Sequence, residues 1–113
     1  MINKEIKVLE NNKIYNMSCL EGLKLIPDGV ASIVLADPPY GQNIRNEKGK
    51  IGFDCEWNTE EEYLDWCSEW FKESKRILKD DGILLVWGVA SIINELSHIL
   101  NYELEMKFYT QII

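Results

Sequence analysis

Asp37, Pro38, Pro39 and Tyr40 follow directly on the apolar run Ala31-Ser32-Ile33-Val34-Leu35-Ala36, and Gly41 comes next. These residue types suit one kind of chemistry. A carboxylate accepts hydrogen bonds from an amino group. Prolines carry carbonyls but no N–H, so the stretch accepts far better than it donates. The ring of Tyr40 offers a flat face to a planar substrate. The six preceding residues read as a short strand, which puts the four at its C-terminal end, where open α/β sheets hold ligands. The competing use of aspartate and proline at such a place is an ordinary strand-end turn.

The elements that must hold this turn can be read outward from it. Glu5–Leu9 and Lys13–Met17 flank Glu10-Asn11-Asn12, and asparagine tolerates left-handed backbone angles, so an N-terminal hairpin is expected. A short helix begins at Ser18 or Cys19 and runs to Leu25, with Leu20, Leu23 and Leu25 as its apolar contributors. Pro27-Asp28-Gly29 then turns the chain into the Ala31–Ala36 strand. Residues from Gly41 to Trp57 form a long loop rich in glycine, asparagine and charge. Its cations Arg45, Lys48 and Lys50 are either a solvated surface or contacts to a phosphate backbone.

The strongest helix is predicted over Glu60–Leu78. Asn58 and Thr59 are cap candidates with Glu61 and Glu62 at capping-box spacing, and Tyr63, Cys67, Trp70, Phe71, Ile77 and Leu78 form its apolar stripe. Acids crowd its start and Lys72, Lys75, Arg76 and Lys79 its end, which matches the helix dipole and reads as a solvated face without further function. Asp80-Asp81-Gly82 stops the helix, and Ile83–Trp87 is a buried-type strand. A helix from about Ser91 to Leu100 follows, and the alternation of Leu104, Met106, Phe108, Thr110 and Ile112 predicts a last strand. Strand, helix, strand, helix, strand is the order of an α/β fold with a mostly parallel sheet and helices on both faces.

Composition removes several classes of function. The 113 residues suffice for one domain with a modest core, and 46% apolar content is that of a globular chain. No apolar run reaches a membrane span, and the first residues lack a signal-peptide layout. Cys19, Cys55 and Cys67 are odd in number and widely spaced, which reads as free thiols in a cytoplasmic setting. With His98 the only histidine, on an apolar helical stretch, no metal site is expected. The net charge of −7 argues against strong DNA binding by this chain alone, although much of the acid sits at one helix start. Trp57, Trp66, Trp70 and Trp87 are expected in or beside the core.

Asp37-Pro38-Pro39-Tyr40-Gly41 resembles the catalytic motif of the DNA amino-methyltransferases. The resemblance continues through Tyr15–Leu23 before the motif and Arg76–Gly82 after it, in the order of the permuted β subgroup, where the catalytic half precedes the cofactor-loop half. It implies a partial Rossmann-like fold using S-adenosylmethionine and acting on adenine N6 of double-stranded DNA in a restriction-modification setting of bacterial, phage or prophage origin. It also implies roles. Asp37, Pro38, Pro39 and Tyr40 would be catalytic, and Ser18, Cys19, Asp37 and Pro38 would lie on the cofactor. Tyr40 would stack on a flipped adenine, and Arg45, Lys48 and Lys50 would meet the DNA. Ser18 stands where the family usually has aspartate, and none of the seven glycines forms a Gly-x-Gly loop. The expectation is therefore a single, incomplete catalytic domain over 1–113, inactive without its other half, whose open Ala31–Ala36 edge pairs with a completing polypeptide or a second copy. The alternative is a non-catalytic remnant that self-associates or binds a partner through that edge.

Overall fold

The computed structural model describes residues 8–41 and 57–110. Arg45, Lys48, Lys50 and Cys55, with most of the loop after Gly41, lie outside the described residues, as does the start of the expected hairpin. The element order is α1 (Cys19–Lys24), β1 (Ala31–Ala36), α2 (Glu60–Ile77), β2 (Leu78–Val86), α3 (Ile93–His98) and a π-helical turn at Ile99–Glu103.

α2 organises the rest. Thr59 caps it by accepting from the Glu62 amide at 3.1 Å, and Glu62 reaches back to accept from the Asn58 amide at 2.8 Å. This reciprocal pair satisfies donors that the first helical turn would otherwise leave open. The expected stripe is buried throughout, and Tyr63, Cys67, Trp70 and Phe71 join Trp57 and the α3-side residues Ile92, Leu96 and Ile99 in one core. Trp57, Tyr63, Trp66, Trp70 and Phe71 run as a chain of tilted and edge-on rings with centroids 4.3 to 6.0 Å apart. Ser74 interrupts the apolar stripe at no cost, because its hydroxyl donates to the Trp70 carbonyl one turn back at 2.8 Å.

The basic end of α2 is more than a solvated face. Arg76 donates to the carbonyls of Leu23 and Ile26 and to Asp28 Oδ1, at 2.6 to 2.8 Å, and its Nε meets Glu73. It thereby caps the C-terminal carbonyls of α1 and fixes the turn into β1, aided by Gly29 and Val30 amides bonded to the Arg76 and Ile77 carbonyls. Hydrogen bonding to Asp28, and then to Glu73, holds the guanidinium pKa above its ordinary value. Lys75 likewise donates to the carbonyl of Leu104.

β1 and β2 pair in parallel, with Ile33 opposite Ile83, Val34 opposite Leu84, Leu35 opposite Leu85 and Ala36 opposite Val86. β2 starts earlier than Ile83. Leu78 pairs with Ala31, and the chain then bulges through Lys79–Gly82 before the register resumes. The Asp80-Asp81-Gly82 turn survives as this bulge. A Cβ on Gly82 would sit 2.8 Å from Leu78 Cδ2 and 3.2 Å from the Ala31 carbonyl oxygen, so only glycine fits the fold-back.

Four expectations are corrected. Among the described residues, helices cover one face of the sheet and not both. Ala36, Leu84 and Val86 pack on the core, whereas Ile33, Leu35, Ile83, Leu85 and Trp87 are exposed on the other face. Trp87 is therefore not a core residue. The Asn11-Asn12 turn forms, with Asn12 at φ 61° and a Lys13–Glu10 ion pair across it, but Lys13–Met17 is not a strand. Nor are residues 105–110, which leave the π-helical turn through Glu105 at φ 55°. Alternating side chains make a strand only where a neighbouring strand accepts the ladder, and this sheet has no described strand beside them.

Candidate functional site

The parallel pair delivers the turn. Trp87, just past β2, donates its amide to the Ala36 carbonyl at 3.0 Å, which carries the ladder up to the residue before Asp37. Asp37 is exposed at the end of β1, with Pro38, Pro39, Tyr40 and Gly41 half-buried behind it. The Tyr40 hydroxyl donates to Asp37 Oδ1 at 2.7 Å, so ring and carboxylate face one another across the two prolines.

A residue that sequence reasoning assigned only to the core proves to be part of the site. Tyr63, in the first turns of α2 and fully buried, donates its hydroxyl to the Pro39 carbonyl at 2.7 Å. Its ring lies against Gly41. A Cβ there would be 2.9 Å from Tyr63 Cγ, and Gly41 has φ 69°, so both space and backbone conformation call for glycine. The signal in the sequence was a tyrosine, rather than a hydrocarbon, on a fully buried stripe. A buried phenol needs a hydrogen-bond partner, which marks Tyr63 as a residue that reaches beyond hydrocarbon packing.

The other expected site residues are more scattered. Ser18 is the N-cap of α1 but makes no side-chain cap bond, and Cys19 opens the helix; both are exposed. No hydrogen bond among the described residues joins either to the Asp37 turn. Cys19 instead neighbours Cys67 on α2, and both are free thiols. Burial pushes the Cys67 thiol up to about 11, and partial desolvation of its sulfur raises that of Cys19 above its ordinary value although the residue is exposed. Thiols held protonated in this way are poor nucleophiles. His98 is exposed, and no group of metal-ligating side chains occurs among the described residues.

The arrangement is an acceptor-rich turn with an aromatic face, set at the carboxyl end of a parallel strand. It can grip a planar amine. A DNA methylase family model covering N6 and N4 methyltransferases matches residues 31–113, from the first residue of β1 onward. The Type II methyltransferase M.HinfI of Haemophilus influenzae is 37% identical over 98 residues, covering 79% of this chain and 27% of its own. M.BamHI of Bacillus amyloliquefaciens is 33% identical over 95 residues, covering 84% of this chain and 22% of its own. M.BglII of Bacillus subtilis is 33% identical over 85 residues. The chain belongs to the N6/N4 DNA methylase family. It spans about a quarter of the length of these curated relatives.

Proposed function

We propose that this chain supplies the base-gripping part of a DNA methyltransferase that transfers a methyl group from S-adenosylmethionine to adenine N6. The observation that carries the reading is the Asp37-Pro38-Pro39-Tyr40 turn, held at the C-terminal end of β1 in a chain of this family. The permuted order of the family, a Rossmann-like sheet completed by further strands and a single domain over 1–113 belong to the same reading.

The chemistry follows from the acceptors. An exocyclic amine on a purine is a weak nucleophile because its lone pair is shared with the ring. Asp37 and the Pro38 carbonyl accept from its two N–H groups, which favours a tetrahedral nitrogen with its lone pair directed outward. Tyr40 stacks on the base, which must leave the duplex to reach the turn. For that, its hydroxyl releases Asp37 Oδ1 and the incoming amine takes its place. Transfer then depends on alignment and needs no covalent intermediate on either thiol.

The same acceptors would suit the methyl-bearing, positively charged end of S-adenosylmethionine. Asp37 and Pro38 would hold it, and Ser18 and Cys19 would add contacts. The methyl group is what that molecule supplies when bound. None of the seven glycines provides a glycine-rich loop for the rest of it. A second polypeptide segment therefore brings that loop, and the chain is inactive without it. Contact with double-stranded DNA involves Arg45, Lys48 and Lys50, in the cytoplasm of a bacterial or phage-derived restriction-modification setting.

The test is to mix the chain with a polypeptide carrying the remaining regions of a relative such as M.HinfI, and to supply duplex DNA and labelled S-adenosylmethionine. N6-methyladenine on mass spectrometry is expected. N4-methylcytosine would overturn the choice of base, and no transfer in any pairing would overturn the function.

A second reading has its own support. The exposed face formed by Ile33, Leu35, Ile83, Leu85 and Trp87, together with the edge of β1 left open among the described residues, suits a non-catalytic remnant that self-associates or binds a partner. A solution mass equal to one chain at all concentrations would exclude the self-association.

A further inference from the structure

We infer that Tyr63 is the positioning residue of the Asp37–Tyr40 turn: its phenol hydroxyl, donated to the Pro39 carbonyl, sets which acceptors the turn presents. The meaning of this for methyl transfer rests on the reading above; the positioning itself rests on geometry alone.

A proline-proline turn cannot be held by its own amides, because Pro38 and Pro39 have none. Its orientation must come from bonds to its carbonyls and from packing. Tyr63 supplies both. The hydroxyl takes the Pro39 carbonyl at 2.7 Å, across 24 residues of chain, and the ring fills the space over Gly41. A carbonyl's direction fixes the peptide plane that follows it, here the plane leading into Tyr40. Tyr63 thus sets the starting point from which Tyr40 reaches Asp37 Oδ1.

The bond also divides the acceptors. Pro39's carbonyl is turned inward and engaged by Tyr63, and among the described residues no hydrogen bond reaches the carbonyl of Pro38. The outward acceptors are then the Asp37 carboxylate and the Pro38 carbonyl, two for the two hydrogens of one amine. Tyr63 can do this because it is itself immobilised. It is fully buried, with Trp57 edge-on at 5.0 Å and Trp66 at 6.0 Å, on a helix capped one turn earlier by Thr59.

Tyr63→Phe tests this with the least damage, since it removes one oxygen and keeps the ring. The measurement is the carbonyl carbon resonance of Pro39 in the full chain labelled with carbonyl-13C proline, together with the amide signals of Tyr40 and Gly41. Loss of the donated bond is expected to move the Pro39 carbonyl upfield and to shift or split both amides, while signals of β2 stay in place. Leu96→Ala, in the same core but on α3, serves as the structural control. It lowers the melting temperature but leaves the Pro39 resonance where it was. An unmoved Pro39 carbonyl in Tyr63→Phe would overturn the inference, as would an equal movement in Leu96→Ala. Neither DNA nor S-adenosylmethionine is present, so failure of the methyltransferase reading leaves this outcome untouched. In a methylating preparation, Tyr63→Phe is expected to lower kcat by about tenfold with the KM for S-adenosylmethionine unchanged, as for a reacting group set slightly out of line. An unchanged kcat there would overturn its part in catalysis.

Discussion

At the scale of single residues, Tyr40 and the two thiols carry contrasting expectations. Tyr40 combines a ring for stacking with a hydroxyl that holds Asp37. Base–aromatic stacking contributes about 1–3 kcal/mol per base. Tyr40→Ala should therefore cost transition-state stabilisation of roughly that size, read as kcat/KM in the methylation assay, and Tyr40→Phe should cost less because the ring remains. Cys67 is buried with its thiol pushed up to about 11, whereas Cys19 is exposed. Alkylation near pH 8 followed by peptide mapping should find Cys19 modified well before Cys67. The sign of the pH effect on stability follows. The unfolded chain releases the Cys67 proton near the ordinary value of 9.0 and the folded chain only near 11, so the stability tied to this thiol is complete below 9 and declines as pH rises through that window. Urea midpoints across it should fall less steeply in Cys67→Ala. At this scale the sequence showed residue types and left their partners hidden. Asp37-Pro38-Pro39-Tyr40 could be read as acceptors and a ring, but the target of a buried phenol 23 residues after Tyr40 depends on how α2 docks.

The elements were most legible where local signals agreed. Thr59, Glu62 and the acid-to-base gradient marked both ends of α2, and the Ala31–Ala36 run matched β1 residue for residue. Thr59→Ala should destabilise the chain by about 1 kcal/mol, the usual cost of a lost N-cap, measured by denaturant unfolding. Arg76 was misread as surface charge because its partners are main-chain carbonyls 50 or more residues earlier, which no pattern of side chains reveals. Arg76→Met, which keeps much of the stem but no donors, should lower the melting temperature; Arg76→Lys should recover only part of the loss, since one ammonium cannot span four acceptors. The alternating stretch after Leu104 was misread for the opposite reason. Its pattern is that of a strand, but a ladder needs a neighbour, and this sheet lacks one among the described residues.

For the whole molecule, the parallel order of the sheet was legible from strand–helix–strand succession, while the bareness of one face was not. Ile33, Leu35, Ile83, Leu85 and Trp87 look like any buried-type strands in sequence, and only the packing of α2 and α3 on the opposite side leaves them exposed among the described residues. Leu35→Lys with Leu85→Glu should keep the fold, since neither side chain packs on the core, and should reduce association in sedimentation runs at rising concentration. A parent chain that is already monomeric would show that the face needs no cover of its own kind. The central claim is that Asp37 grips the amine that receives the methyl group. Its most direct measurement is methyl transfer to duplex DNA by the chain joined to a glycine-loop segment, with Asp37→Ala compared against the parent. A fall in kcat of about 10²–10³-fold is predicted, the range for loss of a preorganised hydrogen-bonding group, and methylation at the parental rate would contradict it.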